Sequence, residues 1–393
     1  MNVQISLQDP KKLYLDANLH LIFSITMIAV MGVANLTPAF PKMIEQLKIP
    51  PSSIGLVITS FTLPGVILTP LMGVIADRWG RKKILVPSLF LFGIAGTACF
   101  WVRDFQLLLI LRVLQGVGGA SLGSLNLTLI GDLYKGKDRP TIMGYNASVL
   151  SIATACYPVM GGALTLLGWN YPFLMTIVAV PIGLLVLFYL KNPEPLQKVD
   201  FKKYLSDTFS LINNKSIWLL YSLSLFTFII LYGSYLTYYP LILARNFSAS
   251  SFTIGLLMSS YSLINAFSST QVGKLIIRFS EKSLIKWAFF FFMISMIITP
   301  FISNIYLILI PTCLFGLGMG LSMPSLQNLL TGSAPLENRA AFMSLNGMML
   351  RLGQTLGPVV IGLFFISAGL DATFYAGAGF ALLVLLFLFI NKF

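Results

Sequence analysis

Twelve apolar runs, each long enough to cross a lipid bilayer, constrain this chain more than any other feature. They lie at about 17–41, 52–76, 83–102, 105–134, 139–167 and 170–190. After a polar stretch, six more lie at about 216–244, 252–278, 284–303, 305–333, 338–367 and 372–391. A helix crosses a hydrocarbon core about 30 Å thick with roughly 20 residues. The runs are continuous rather than alternating, which excludes a transmembrane barrel. Only 10% of the 393 residues are charged, too few to cover a water-facing surface. The expected fold class is an all-α membrane protein of twelve transmembrane helices.

Charge placement orients the spans. With the N-terminus in the cytoplasm, 20 of the 26 Lys and Arg fall on the cytoplasmic side, and only Lys42, Lys48, Arg103 and Arg245 fall opposite. The remaining two, Arg112 and Arg351, lie inside spans. A multi-pass protein of the cell membrane with both termini cytoplasmic is expected. The net charge of +13 does not indicate nucleic acid, because the cations are dispersed between apolar runs. Cys99, Cys156 and Cys313 are far apart inside apolar runs, so no disulfide or metal framework is readable. The polar start, residues 1–16, lacks a small-residue cleavage site, and no cleaved signal peptide is expected.

The polar stretch from Lys191 to Lys215 splits the chain. This predicts an N-terminal six-helix bundle (1–190), a cytoplasmic linker (191–215) and a C-terminal six-helix bundle (216–393). The halves also repeat. A shift of 200 positions places Gly73 on Gly273, Arg78 on Arg278, Lys82 on Lys282 and Ile54-Gly55 on Ile254-Gly255. The same register places Gly116 on Gly316, Arg139 on Arg339, Asn146 on Asn346 and Pro158-Val159 on Pro358-Val359. Two pseudo-symmetric bundles duplicated in parallel suit a transporter whose halves rock about a central site.

Between the second and third runs stands Gly73-Val74-Ile75-Ala76-Asp77-Arg78-Trp79-Gly80-Arg81-Lys82-Lys83. Simple positive-inside placement explains its cations, but not Asp77 or the spacing of its glycines. The stretch resembles the loop motif of the major facilitator superfamily, specifically its twelve-span drug:proton antiporter branch, and the resemblance extends over nearly the whole chain. It implies a gating role for Gly73, Asp77, Arg78, Gly80, Arg81, Lys82 and Asp132. Asp77 would face the start of the eleventh span near Arg339, where a carboxylate meets the positive end of a helix dipole. Arg81 would pair with Asp132. Together they would latch the cytoplasmic side in the outward-open state. The second copy has Ile277 in place of Asp77. The fourth span carries Arg112-Val113-Leu114-Gln115-Gly116, which resembles a second family motif. The fifth resembles the antiporter motif at Gly144, Pro158, Gly161 and Gly162, but has Ala153 and Tyr157 where that pattern has glycines.

Ionisable groups inside a membrane are functional candidates because a charge there is costly. Arg112, about 10 Å into its span, either snorkels to the interface or enters a cavity. Arg351, about 20 Å deep, either faces the cavity or ties helices together. Asn35, Gln115, Asn126, Gln327, Asn346 and Gln354 are candidate substrate-binding residues or helix-to-helix hydrogen bonds. Tyr235 is a further candidate, although Tyr232, Tyr235 and Tyr239 also fit an interfacial aromatic belt. The 13 carboxylates all fall in loops or at span ends. None is placed mid-membrane to bind a cationic drug or carry a proton. His20 lies near the start of the first span, where an interfacial role is expected.

The function expected is a secondary active transporter, a proton-coupled exporter of amphipathic small molecules or drugs working by rocker-switch alternating access. The alternative is a transporter of an anionic metabolite or lipid using Arg351 and Arg112. No metal-ligand cluster, nucleotide-binding loop or nucleophile–base arrangement supports an enzyme, and no cofactor is expected. The expected partners are a small-molecule substrate, protons as coupling ion and membrane lipid, around a monomer. If Asp77 contributes to a latch, Asp77→Asn should reduce transport in reconstituted vesicles while leaving expression and folding intact. Full transport by the well-folded variant would contradict the latch.

Overall fold

The computed structural model describes residues 16–136, 138–191, 215–333 and 339–390, with the side chains at 74, 77, 215, 216 and 339–341 outside the description. Among the described residues the protein is all-helical, with twelve span-length helical segments in two six-helix bundles, ten of them long and apolar enough to cross a membrane. The first span runs over Ala17–Leu47. The next five are Leu56–Trp79, Arg81–Ala98, Phe105–Leu133, Asp138–Leu167 and Tyr171–Tyr189. In the second half, the seventh span continues from Lys215–Ile229 through Ile230–Tyr238 to Tyr239–Phe247. The others are Ser251–Leu275, Glu281–Ile298, Leu309–Ser333, Arg339–Ala368 and Leu370–Ile390.

Side-chain caps start several spans by satisfying amide N–H groups that the helix leaves free. Asp16 accepts from the Asn18 N–H at 2.9 Å, and Asp104 from the Leu107 N–H at 2.8 Å. In the second half, Ser250 and Ser280 cap the eighth and ninth spans in the same way. Gly80 joins the second and third spans with φ +98°, a conformation that disfavours a Cβ.

Two spans are wound irregularly at corresponding places. The first tightens into a 3₁₀ turn at Thr37–Ala39, beside Pro38 and Pro41. The seventh widens into a π-helix over Ile230–Tyr238, just before Pro240. Proline lacks an N–H and its ring crowds the preceding turn, so the regular ladder cannot pass through. Both spans then end on a left-handed residue, Lys48 (φ 52°) and Ser248 (φ 48°), which are 200 positions apart.

The bundles meet along two helix pairs, the second span with the eleventh and the eighth with the fifth. Their contacts repeat across the duplication. A Cβ on Gly55 would lie 2.7 Å from the Pro358 Cβ, and one on Gly255 would collide with the Pro158 carbonyl oxygen. Thr59 Oγ1 donates to the Thr355 carbonyl at 3.0 Å, while Ser259 donates to the Ala155 carbonyl at 2.5 Å. Thr355 Oγ1 donates to Thr62 Oγ1 at 2.9 Å, and Ser262 Oγ donates to the Thr154 carbonyl at 3.1 Å. All these contacts lie in the half of the bundle away from the 78–83 loop. Toward that loop, Gly73, Gly144, Gly273 and Gly347 have nothing within 4 Å of an added Cβ. The close contacts between the halves are therefore concentrated at the far end.

Tyr235 and Tyr239 do not form an interfacial belt. Each is 1% exposed, because the π-helical segment carries them into the interior of the second bundle. A Gly255→Leu substitution should destabilise the protein by about 1–3 kcal/mol through overpacking against Pro158. The check is the thermal unfolding of purified protein, with Gly273→Leu, in open space, expected to unfold like the parent.

Candidate functional site

The first span exposes His20 and Met27, while the seventh exposes Trp218 and partly exposes Phe228 and Tyr232. A side groove between the first and fifth spans brings Leu19, His20 and Phe23 alongside Tyr145, Ser148, Val149 and Ile152.

The interior of the first bundle is polar and closed. Arg112 has no exposed surface. Its Nε donates to the Val57 carbonyl at 3.0 Å, Nη2 to the Gly32 carbonyl at 2.7 Å and Nη1 to Gln115 Oε1 at 2.6 Å. The Phe61 ring lies 4.4 Å below the guanidinium, a favourable cation–π arrangement. Two of these bonds tie the fourth span to the first and second, and the third fixes Gln115 on its own helix. Gln115 is equally enclosed. Asn35 donates to the Pro172 carbonyl at 2.9 Å, joining the first span to the sixth. Asn126 donates to Thr26, whose hydroxyl donates to Asn146 Oδ1 at 2.5 Å. Arg112, Gln115, Asn35 and Asn126, candidate substrate contacts in the sequence with structural roles as the alternative, are inaccessible in this conformation. Burying them without partners would be costly, and helix-to-helix hydrogen bonds offset that cost.

The equivalent region of the second bundle is aromatic. Tyr235 stacks on Phe315 at 4.5 Å and on Tyr239 at 4.6 Å, with Tyr261 4.8 Å away. Tyr239 shares a short hydrogen bond with Thr312, which occupies the position equivalent to Arg112. Phe315 stands where the first half has Gln115. Tyr235 is thus a packing residue in this conformation. Asn346 is 3% exposed, and its Oδ1 has no hydrogen-bond partner.

Arg351 differs from Arg112 in every respect that bears on binding. It is partly exposed. Its Nη1 donates to Gln354 Oε1 at 3.1 Å, one turn along the same helix. A Cβ on Gly65 of the second span would lie 3.3 Å from its Cδ and Nε. Phe228 and Tyr232 stack on the neighbouring seventh span at 5.6 Å and 19°, with the Phe228 Cβ 2.7 Å from a Cβ placed on Gly353. Gln327 is exposed near the basic end of the tenth span.

At the basic end Arg81 Nη1 pairs with Asp132 Oδ2 at 2.7 Å, fixing the third span to the fourth. Lys82 donates to the Leu190 carbonyl at 3.3 Å, and Arg78 is exposed. The latch between Asp77 and the start of the eleventh span falls on side chains outside the described residues. Of the antiporter-motif positions, Pro158 meets Gly255, Gly161 abuts the Asn35 carbonyl and Gly162 the Ser251 carbonyl, whereas Gly144 is open.

The sequence pattern of the Major Facilitator Superfamily matches this chain over residues 22–248 and again over 223–392. The chain belongs to that superfamily. It is 25% identical over 359 residues to the bacillibactin exporter of Bacillus subtilis, covering 87% of this chain and 88% of that protein. It is 22% identical over 379 residues to the quinolone resistance protein NorA of Staphylococcus aureus (strain COL), covering 95% of each. Its fold matches a bacterial homolog of the human lysosomal transporter Spinster in an inward-facing, occupied conformation, with a TM-score of 0.82 at 15% identity over 98% of this chain and 97% of that one. The nucleoside transporter NupG matches with a TM-score of 0.79 at 16% identity, over 95% of this chain and 98% of that one. The chain is therefore a multi-pass membrane transporter of a family that is not enzymatic.

The sequence reading missed Phe61 under Arg112, Thr26 between the two asparagines, and Phe228 against Tyr232. Phe61 and Tyr261 share the 200-residue register, which was a usable signal; the others carry none. Arg112→Ala should destabilise the protein by about 3 kcal/mol, because two carbonyls and Gln115 lose a buried charged donor. Arg351→Ala, losing one hydrogen bond, should cost about 1 kcal/mol. Thermal unfolding of the two purified variants checks the order.

Proposed function

We propose that this protein is a proton-coupled exporter of amphipathic small molecules, working by alternating access. The observation that carries the reading is the duplicated seam: equivalent Gly–Pro crossings and hydroxyl contacts close one end while the other stands open. Two bodies joined by a small, side-chain-poor seam can exchange which end is closed by rocking. The bodies are residues 1–190 and 216–393, connected by 191–215. The excess of Lys and Arg puts the basic end and both termini in the cytoplasm, so this conformation is the inward-facing one. The exporters among its relatives and the antiporter-type residues Pro158, Gly161 and Gly162 favour export.

Proton coupling has an unusual basis here. The described carboxylates, Asp16, Glu45, Asp104, Asp132, Asp138, Glu281 and Asp371, stand at span ends. His20 lines the groove between the first and fifth spans.

The test is uptake of a fluorescent amphipathic dye by proteoliposomes under an imposed pH gradient. Gradient-driven accumulation above protein-free vesicles is expected. Transport that ignores the gradient would remove the proton coupling, and no transport would remove the exporter reading.

A further inference from the structure

The two arginines inside the membrane have opposite hydrogen-bond economies. Arg112 commits three nitrogens to acceptors on two neighbouring spans and its own helix, and one face to Phe61. Arg351 has one bonded acceptor, Gln354, on its own helix. Guanidinium carries five N–H donors, so most of those on Arg351 remain available.

Its direction is set by the helix. Leu356, Val359, Leu363 and Ile366 are exposed and mark the lipid side of the eleventh span. At about 100° per residue, Gln354 lies roughly 160° from that side. The hydrogen bond to Gln354 therefore turns the guanidinium away from that side. Gly65, lacking a side chain, leaves room for the stem of Arg351. The stacked Phe228 and Tyr232 present a partly exposed aromatic surface on the neighbouring seventh span.

No carboxylate among the described side chains pairs with Arg351. Asp77 is twelve residues beyond Gly65 on the second span, about 18 Å along the axis. A cation at this depth is strongly disfavoured without a counter-charge. The planar fork of a guanidinium matches the oxygens of a carboxylate, sulfonate or phosphate, and a flat ring can lie against the aromatic pair.

We propose that Arg351, with Gln354, Phe228 and Tyr232, forms an anion site, and that the cargo is an aromatic organic anion whose acidic group pairs with Arg351. The assignment rests on the transporter reading and narrows its cargo by charge. Arg112 is excluded from the site by its full burial, with each of its three nitrogens already bonded within the first bundle.

The test uses purified full-length protein and three matched probes: naphthalene-2-sulfonate, 2-naphthalenemethanol and 2-naphthyltrimethylammonium. Isothermal titration should show the sulfonate binding at least about tenfold more tightly than either of the others. Arg351→Gln should bring the sulfonate-to-alcohol ratio close to one, and Arg351→Lys should retain part of the preference. A parent protein that prefers the alcohol or the ammonium, or that binds none of the three, overturns the site without relying on any variant. So does an Arg351→Gln protein that keeps the sulfonate preference. Dye transport in vesicles separates the two ideas. Transport with no sulfonate preference leaves the exporter standing and removes the anion site. Sulfonate preference without transport keeps the site and removes the exporter.

Discussion

Everything in this fold depends on how closely the two bundles approach where they cross. At Gly55 and Gly255 there is no Cβ, and the facing residues are Pro358 and Pro158. In lipid there is no hydrophobic drive to pull helices together, so association rests on van der Waals fit and on hydrogen bonds between helices. A missing side chain lets backbones meet, and short hydroxyls at Thr59, Ser259, Ser262 and Thr355 then reach acceptors across the seam. These seam contacts involve no ion pair that would have to be broken in a dry interior. A contact of that kind is suited to being made and unmade repeatedly.

The duplication explains the architecture, and its departures explain the chemistry. At equivalent depths, the first bundle is held by Arg112, Gln115, Asn126 and Asn146, whereas the second is held by Tyr235, Tyr239, Tyr261 and Phe315. One interior is cross-linked by directional hydrogen bonds, the other by stacked rings. Arg351 breaks the symmetry again, since its counterpart in the first half is Ser151. The fold thus inherits its shape from a repeat, and Arg351 is a charge inside the second bundle with no repeat in the first.

Much of the fold was legible in the residue pattern. Hydropathy gave the spans, and the constant register of 200 gave the repeat. The site was less legible for physical reasons. The partners that saturate Arg112 include the carbonyls of Gly32 and Val57, and a carbonyl leaves no mark in a sequence. Tyr232, Tyr235 and Tyr239 looked like one face because a regular helix was assumed. The π-helical winding moves Tyr235 and Tyr239 inward and leaves Tyr232 beside Phe228. Arg351 stood out from the start, because an arginine at that depth is conspicuous whatever surrounds it.

The two irregular turns, at Thr37–Ala39 and within Ile230–Tyr238, sit on the same side of the molecule. Beyond them, Phe40–Leu47 and Tyr239–Phe247 touch across the duplication. A helix that has lost part of its ladder bends more readily there than along an unbroken stretch. Compliance is therefore concentrated at the closed end, while the first and seventh spans on the open side are regular helices. The far gate has joints as well as a seam, so its two short outer helices can tilt without the bundles moving as wholes.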